Sequence, residues 1–472
     1  AEPVTAWAEV HCALYRAQVP VVVALERFAI NAGASLALAA ALLALDVTPL
    51  AHAAGPLELT GALPLGFLAN GMQLKPDLSW WTSEVTDPVT GQKRALSEFS
   101  ESELNIELRQ DIAARKLAWG VVAVMAILPP ITFLALRRVG VGPWSGVQWL
   151  GYLFMGVSSI VFILVLVLDL LRVGRKLVLK LRPAEPPQDL APDGSRRAFL
   201  GRAVNLGIVG GAASVTGVGV VQAQMLPEVV EVEVPIEGLP AAAEGFRIVQ
   251  ITDVHVGPTI RGEYLSAVVD RINELDADAV VITGDLIDGF VDQLRDEMTA
   301  LGRIEARHGA FYVTGNHEYY WDGLAWCDLV RSHGVDVLVN EHRVIDHDGA
   351  KIVLAGVPDV SAGGMVAAHA SDPAKAREGA PDDCCATILL AHQPRSIYAA
   401  AKAGYDLVIS GHTHGGQYFP MNLLVYLAQP YVAGLERHED TWIYVSRGTG
   451  YWGPPVRVGA PHEITLLRLV AA

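Results

Sequence analysis

Apolar runs of two lengths alternate with polar stretches along this chain, and the two lengths predict different elements. In the second half the runs are short. Arg247–Thr252, Asp278–Thr283, Ala310–Thr314, Thr387–Leu390 and Leu407–Ser410 each read as a buried strand. Each runs directly into a polar motif: Asp253-Val254-His255, Gly284-Asp285-Leu286-Ile287-Asp288, Gly315-Asn316-His317-Glu318, Ala391-His392-Gln393 and Gly411-His412-Thr413-His414. Val229–Val234 alternates as a further strand. Tyr264–Leu275, Asp292–Ala306, Gly323–Ser332 and Ser396–Ala403 read as helices. Strands alternating with helices early, and more strands late, predict two packed mixed sheets with helices outside. In an open α/β fold, strand ends bearing Asp, Asn and His converge on one crevice.

In the first half the runs are long. Leu117–Leu136 and Val147–Leu171 have spanning length, the first with Pro129-Pro130 as a tolerated kink. Phe28–Leu45 is uncharged and marginally long enough, with a buried or interfacial helix as the alternative. Arg172 to Arg202 holds eight basic and three acidic residues, the bias of a cytoplasmic loop. Ala203–Val221 is a weaker, Gly-rich apolar segment. It follows Ser195-Arg196-Arg197-Ala198-Phe199-Leu200, which resembles a twin-arginine export signal and also fits the anchor of an ordinary last helix. The predicted division is 1–46, an N-terminal segment with the marginal span; 47–116, a polar interval; and 117–171, two transmembrane helices. It continues with 172–202, a basic linker; 203–225, a final apolar helix; and 226–472, the catalytic domain. This order places the cell membrane beneath an extracytoplasmic domain on a multi-pass anchor.

Composition agrees. Hydrophobic residues make up 51% of 472, high for a soluble enzyme. The net charge of −16 is uneven: from Pro227 onward there are 17 basic and 34 acidic residues, whereas residues 1–226 are nearly neutral. A nucleic-acid surface needs a basic stripe, so nucleic acid is excluded as a partner. The four cysteines, two of them adjacent, fit neither a zinc ribbon nor a disulfide framework.

The motifs carry a definite chemistry. Two divalent cations about 3.5–4 Å apart can clamp the attacking and leaving oxygens of a phosphoryl displacement. Such a pair needs oxygen and nitrogen ligands with one carboxylate between them. Asp253, His255, Asp285, Asn316, His392, His412 and His414 supply that mixture. The glycines before Asp285, Asn316 and His412 are expected to let the backbone turn sharply. The other nine histidines read as surface or core residues.

D-x-H, G-D-x-x-D, G-N-H-E, a lone His and G-H-x-H, in this order, resemble the calcineurin-like metallophosphoesterase superfamily over about Leu226 to Val470. The segment Ser446-Arg447-Gly448-Thr449-Gly450, continuing through Pro455-Val456-Arg457 to Glu463-Ile464, resembles its membrane-anchored subgroup. The resemblance implies a four-layer α/β sandwich of two mixed sheets flanked by helices, preceded here by an α-helical membrane region. It implies one metal held by Asp253, His255, Asp285 and His414, and a second by Asp285, Asn316, His392 and His412. The ions would be manganese first, with iron or zinc as alternatives, and the nucleophile a hydroxide between them. His317 would protonate the leaving oxygen and Asp288 would orient His317.

The expected function is a membrane-anchored two-metal phosphohydrolase. Its expected substrate is a phosphorylated small molecule or lipid carrying a phosphodiester or pyrophosphate. The alternative is a non-catalytic membrane scaffold or sensor that binds a phosphorylated ligand. Tyr319, Tyr320, Trp321, Tyr451, Trp452 and Arg457 flank the motifs as pocket or packing residues. Tyr418–Leu427 is apolar and either packs conventionally or dips toward a bilayer.

Overall fold

A computed structural model describes residues 84–86, 93–95, 116, 120–134, 136, 140, 145–181, 194–418 and 421–472. Phe28–Leu45 and most of the 47–116 interval lie outside the described residues. Within that interval Glu84–Thr86 (β1) and Lys93–Ala95 (β2) pair as an antiparallel ribbon.

Among the described residues, three apolar helices precede the catalytic domain: Gly120–Leu134 (α1), Ser145–Leu181 (α2) and Gly194–Gln224 (α3). Among the described residues, α2 and the Phe199–Gln224 stretch of α3 are long and apolar enough to cross a membrane. In the Leu117–Leu136 run the described residues, 120–134 and 136, are all helical. By its contacts the chain forms two units. One gathers residues 129–156 with 215–472, and the other includes 157–214.

In the first unit the expected strands all form. Its first sheet runs, in spatial order, Glu228–Ile236 (β3), Glu463–Ala471 (β14), Arg247–Ile251 (β4), Ala279–Ile282 (β5), Ala310–Tyr312 (β6) and Asp336–Val337 (β7). Strands β4 to β7 are parallel, while β14 runs antiparallel to β4. The second sheet runs Gly434–His438 (β12), Thr441–Val445 (β13), Leu407–Ser410 (β11), Ala386–Leu390 (β10), Ala350–Gly356 (β9) and Glu341–His347 (β8). Its middle four strands are parallel and both edges antiparallel. Each parallel strand needs a crossover to return the chain. Gly262–Asn273 (α4), Gly323–Ser332 (α6) and Ile397–Lys402 (α7) supply three of these. The one-turn helix Asn316–Tyr320 (α5) sits at the end of β6.

The period-2 geometry of strands sorts the apolar residues into layers. Ile248 of β4 and Val281 of β5 face the second sheet, where they pack with Leu354, Ile388, Leu390 and Ile409. Val249, Ile251, Val280 and Ile282 face the other way and join Leu265, Val269 and Ile272 of α4. On the far side, Leu389 and Val408 pack with Ile397 and Ala400 of α7. The result is the four-layer arrangement, helix on sheet on sheet on helix. Tyr152 of α2 and Ala223 of α3 belong to the α4-side core, so the apolar helices contribute side chains to the catalytic domain.

The expected helix over Asp292–Ala306 is instead a single α-turn, Val291–Leu294, followed by a 3-10 helix, Arg295–Arg303. Met298, Ala300 and Leu301 are its buried residues. Beneath the motifs, the fully buried Gln250 of β4 donates to Thr283 Oγ1 (2.7 Å) and to the carbonyl of Ser410 in β11 (2.9 Å). This tie joins the two sheets directly under the strand ends that carry the site.

Candidate metal centre

The five motifs meet. Asp253 follows β4, Asp285 and Asp288 follow β5, and Asn316 and His317 open α5 after β6. His392 follows β10, and His412 and His414 follow β11. Two clusters result, one of Asp253, His255 and His414 and one of Asp285, His392 and His412, with donor atoms within 4.8 Å of one another in each. In the first, His255 Nε2 and His414 Nε2 stand 3.1 Å apart and His414 Nε2 lies 3.4 Å from Asp253 Oδ1. In the second, His392 Nε2 is 3.1 Å from both His412 Nδ1 and Asp285 Oδ2. Asp285 Oδ2 is also 3.9 Å from His255 Nε2, so this carboxylate lies between the clusters.

The turns are made in an unexpected way. Asp253, His255, Asp285, His412 and His414 all have φ between 49 and 72°, the left-handed region that side chains avoid. Non-glycine residues held there store strain that the surroundings must over-determine, a pattern concentrated at functional sites. Of the three preceding glycines, only Gly284 takes positive φ itself. Gly411 serves close approach instead: a Cβ there would lie 2.2 Å from Asp253 Oδ2.

Each donor is oriented from behind. His392 Nδ1 donates to the Thr283 carbonyl (2.8 Å), which turns Nε2 toward Asp285. Asp253 Oδ2 accepts from His412 N (2.8 Å) and Thr252 Oγ1 (2.7 Å). Asp285 Oδ1 accepts from His317 N (2.8 Å). Asp253 Oδ1 and Asn316 Oδ1, although buried, accept no hydrogen bond from any described residue. Buried acceptors left open are costly unless a ligand or cation meets them. Mixed oxygen and imidazole donors with two open acceptors fit a pair of divalent cations.

His317 Nδ1 is 2.5 Å from Asp288 Oδ1, and Asp288 Oδ2 is 3.2 Å from His255 Nδ1, so one carboxylate braces two imidazoles. Burial alone would raise Asp288. The His317 and His255 rings outweigh it and hold the carboxyl well below the usual carboxylate range. Asp288 is therefore ionised at neutral pH and acts as an acceptor.

Glu318 carries a role the sequence reading assigned to nothing. Fully buried, it accepts from Leu286 N (2.7 Å) through Oε1 and from Gly315 N (2.7 Å) and Asp285 N (3.1 Å) through Oε2. It thereby fastens the Asp285 loop to the Asn316 loop. The signal was an acid three residues after Gly315, at the start of a helix.

The flanking residues divide. Tyr320 and Trp452 place their rings 5.1 and 5.5 Å from the His317 ring and border the site. Tyr319, Trp321 and Tyr451 are buried packing residues. Arg457 is only 1% exposed and lies behind His414, with Nη2 3.1 Å from His414 Nδ1 and Nη1 donating to the Ala460 carbonyl (2.9 Å). It supports a ligand from beneath and does not line a pocket. In the 418–427 segment Tyr418 is buried, but Leu423, Leu424, Tyr426 and Leu427 are exposed.

A model of the family described as calcineurin-like phosphoesterase matches residues 246–416. A Danio rerio transmembrane protein with metallophosphoesterase domain is 41% identical over 266 residues, covering 54% of this chain and 60% of that protein. An uncharacterized metallophosphoesterase of Aquifex aeolicus is 32% identical over 236 residues, covering 49% of this chain and 88% of the relative. One from Bacillus subtilis is 31% identical over 240 residues, covering 49% and 81%. The chain spans about 60% of the length of the transmembrane relative and of a similar protein from Bos taurus.

Proposed function

The chain belongs to the calcineurin-like phosphoesterase family, and from that premise we propose that it is a membrane-anchored, two-metal phosphohydrolase acting on a phosphodiester or pyrophosphate. The observation that carries this reading is the pair of donor clusters on either side of Asp285, with the buried Asp253 Oδ1 and Asn316 Oδ1 accepting no hydrogen bond from any described residue. Asp253, His255, Asp285 and His414 would hold one ion, and Asp285, Asn316, His392 and His412 the other. Bound divalent cations supply a water made acidic enough to attack near neutral pH and a positive field for the phosphoryl oxygens. Manganese, iron and zinc all suit such donors, with manganese the first to try.

The chain's own residues do the rest. Asp288 fixes the His317 ring through Nδ1, and His317 Nε2 points inward, 3.7 Å from Asp285 Oδ2. From there it can hand a proton to the leaving oxygen. Tyr320 and Trp452 each pack against that ring in an edge arrangement. This intact proton-transfer pair is what favours catalysis over a scaffold that only binds.

A lipid-linked or envelope substrate is supported by what adjoins the site. From Trp452, whose ring meets His317, the chain continues as a strap to Val458. Arg457 N on this strap donates to the Gly219 carbonyl of α3 (2.9 Å). On its other side, Gln417 Nε2 donates to the Trp452 and Pro454 carbonyls (3.1 and 2.9 Å). Gln417 leads into the exposed Leu423, Leu424, Tyr426 and Leu427. A site set between an apolar helix and an exposed apolar turn suits a substrate whose tail stays in the bilayer. The basic stretch from Arg172 to Arg202, which takes in the end of α2 and the start of α3, supports an extracytoplasmic domain, with or without use of the Arg196-Arg197 pair as a twin-arginine signal.

The test is turnover of an aryl phosphodiester by the full chain in detergent with Mn²⁺, and no turnover with any divalent metal would reject the proposal. Asp285→Ala is expected to lose both ions. His317→Ala should keep them and lose about 10²–10⁴ in rate. A metal-free His317→Ala protein would overturn the division of roles.

A further inference from the structure

Two of the nine histidines outside the motifs meet at the opposite end of the first sheet. His308 stands in the turn that leads into β6. His347 ends β8 of the second sheet, and Asp278 immediately precedes β5. The five steps of strand from Asp278 to Thr283 put roughly 16 Å between this end and the motif end. His308 Nε2 is 3.0 Å from His347 Nδ1, and His347 Nδ1 is 3.7 Å from Asp278 Oδ1.

Donor atoms bound tetrahedrally at about 2.0–2.1 Å stand roughly 3.3 Å apart, so these two distances bracket that spacing. They also match the 3.1 and 3.4 Å separations within the catalytic clusters. The three groups are held in place independently of any ligand. Asp278 Oδ2 is anchored by Arg247 N (2.8 Å), while Oδ1 is the oxygen nearer His347. Phe246 packs against both imidazoles, with centroids 5.9 and 4.9 Å away, and His347 is only 8% exposed.

Arg307 is the adverse charge, since its Nη1 lies 3.4 Å from His347 Nδ1. Its Nη2 is already paired with Asp348 at 2.7 Å, which answers that charge. Burial, then His347 and Arg307, push His308 below the ordinary imidazole range, which keeps it in the neutral form that ligates.

We infer that Asp278, His308 and His347 form a third metal site, apart from the catalytic centre. It takes one zinc-type divalent cation and clips the two sheets together. Two imidazoles and one carboxylate are a donor set for zinc, cobalt or nickel, and a poorer one for magnesium or calcium. The clip would act on stability, because a cation that binds only the folded chain stabilises it by mass action.

The experiment uses the full chain in detergent, stripped by chelator and re-equilibrated with Zn²⁺, with metal counted by elemental analysis. Asp285→Ala disables the catalytic centre and leaves the third site intact. It should carry one more zinc per chain than Asp285→Ala combined with His347→Gln, and only the former should melt higher when Zn²⁺ is added. Equal zinc content in the two proteins would overturn the inference. Should the double variant fail to fold, Co²⁺ loading of the parent against His308→Gln decides, with one ion per chain fewer in the variant expected and equal counts fatal. None of these readings requires turnover, so failure here and failure of the phosphohydrolase proposal are separable.

Discussion

Replacing Glu318 by Gln isolates one contact at the centre of the site. The side chain keeps its size and burial. What changes is that one of two accepting oxygens becomes a donor. Oε2 serves Gly315 N and Asp285 N, and Oε1 serves Leu286 N alone. Glutamine does best by keeping its oxygen toward the first two, which sets its NH2 against the Leu286 N–H. One charge-assisted bond, about 1.5–3 kcal/mol, is lost, and a buried donor is left facing a donor. A total near 2–4 kcal/mol is expected, against a stability of roughly 5–15 kcal/mol for a domain. At about 2–4 °C per kcal/mol for a domain of this size, the melting midpoint should fall by roughly 4–16 °C.

The same change releases the Asp285 and Asn316 loops from each other. The ion assigned to both residues should therefore be lost at lower chelator concentration than its neighbour. Differential scanning fluorimetry and metal analysis along a chelator series read both effects. Burial and the nearby Asp285 carboxylate raise Glu318, while the Leu286 and Gly315 amides oppose them. If Glu318→Gln melts within about 2 °C of the parent with full metal content, the group is carried as a neutral acid and the reasoning fails.

Gly411→Ala places a methyl 2.2 Å from Asp253 Oδ2 and 2.3 Å from Thr252 Oγ1. A displacement of that order should cost at least ~10²-fold in kcat at saturating metal, with secondary structure by circular dichroism unchanged. Burial, then Arg457, push His462 down to about 4. The unfolded chain then binds more protons between pH 6.5 and 4, so stability falls as pH drops through that window. Denaturant titrations should lose about 2 kcal/mol more between pH 7 and 5 in the parent than in His462→Leu. Leu424→Asp with Leu427→Asp should lower turnover of a vesicle-borne phosphodiester several-fold and leave a soluble aryl diester unaffected. Equal loss on both substrates would remove the bilayer from the account. A reporter active only outside the cytoplasm, fused after Ala472, should be active, and a silent but stably expressed fusion would reverse the sidedness.

The sequence by itself determined the strand ends and the chemistry they bear. A short apolar run broken by Asp, Asn or His is a local signal, and all five such runs became strands ending at the site. The alternation within β4 and β5 likewise determined which residues face which layer, because strand geometry is local. Tertiary structure alone decided what depends on contacts far apart in the chain. The left-handed conformations of the ligand residues are disfavoured locally and persist only because neighbouring strands hold them. Glu318 looked like one more acidic residue until the β5 and β6 loops were brought within reach of both its oxygens. Arg457 and Tyr451 read as pocket or packing residues, and the folded chain decides for packing, with Tyr451 set against Gln224 and Thr259 and Arg457 behind His414. Asp278, His308 and His347 show no spacing that marks a site. They meet because the two sheets stack, and that stacking is set by apolar faces shared among ten or more strands, with no local record at the residues it joins.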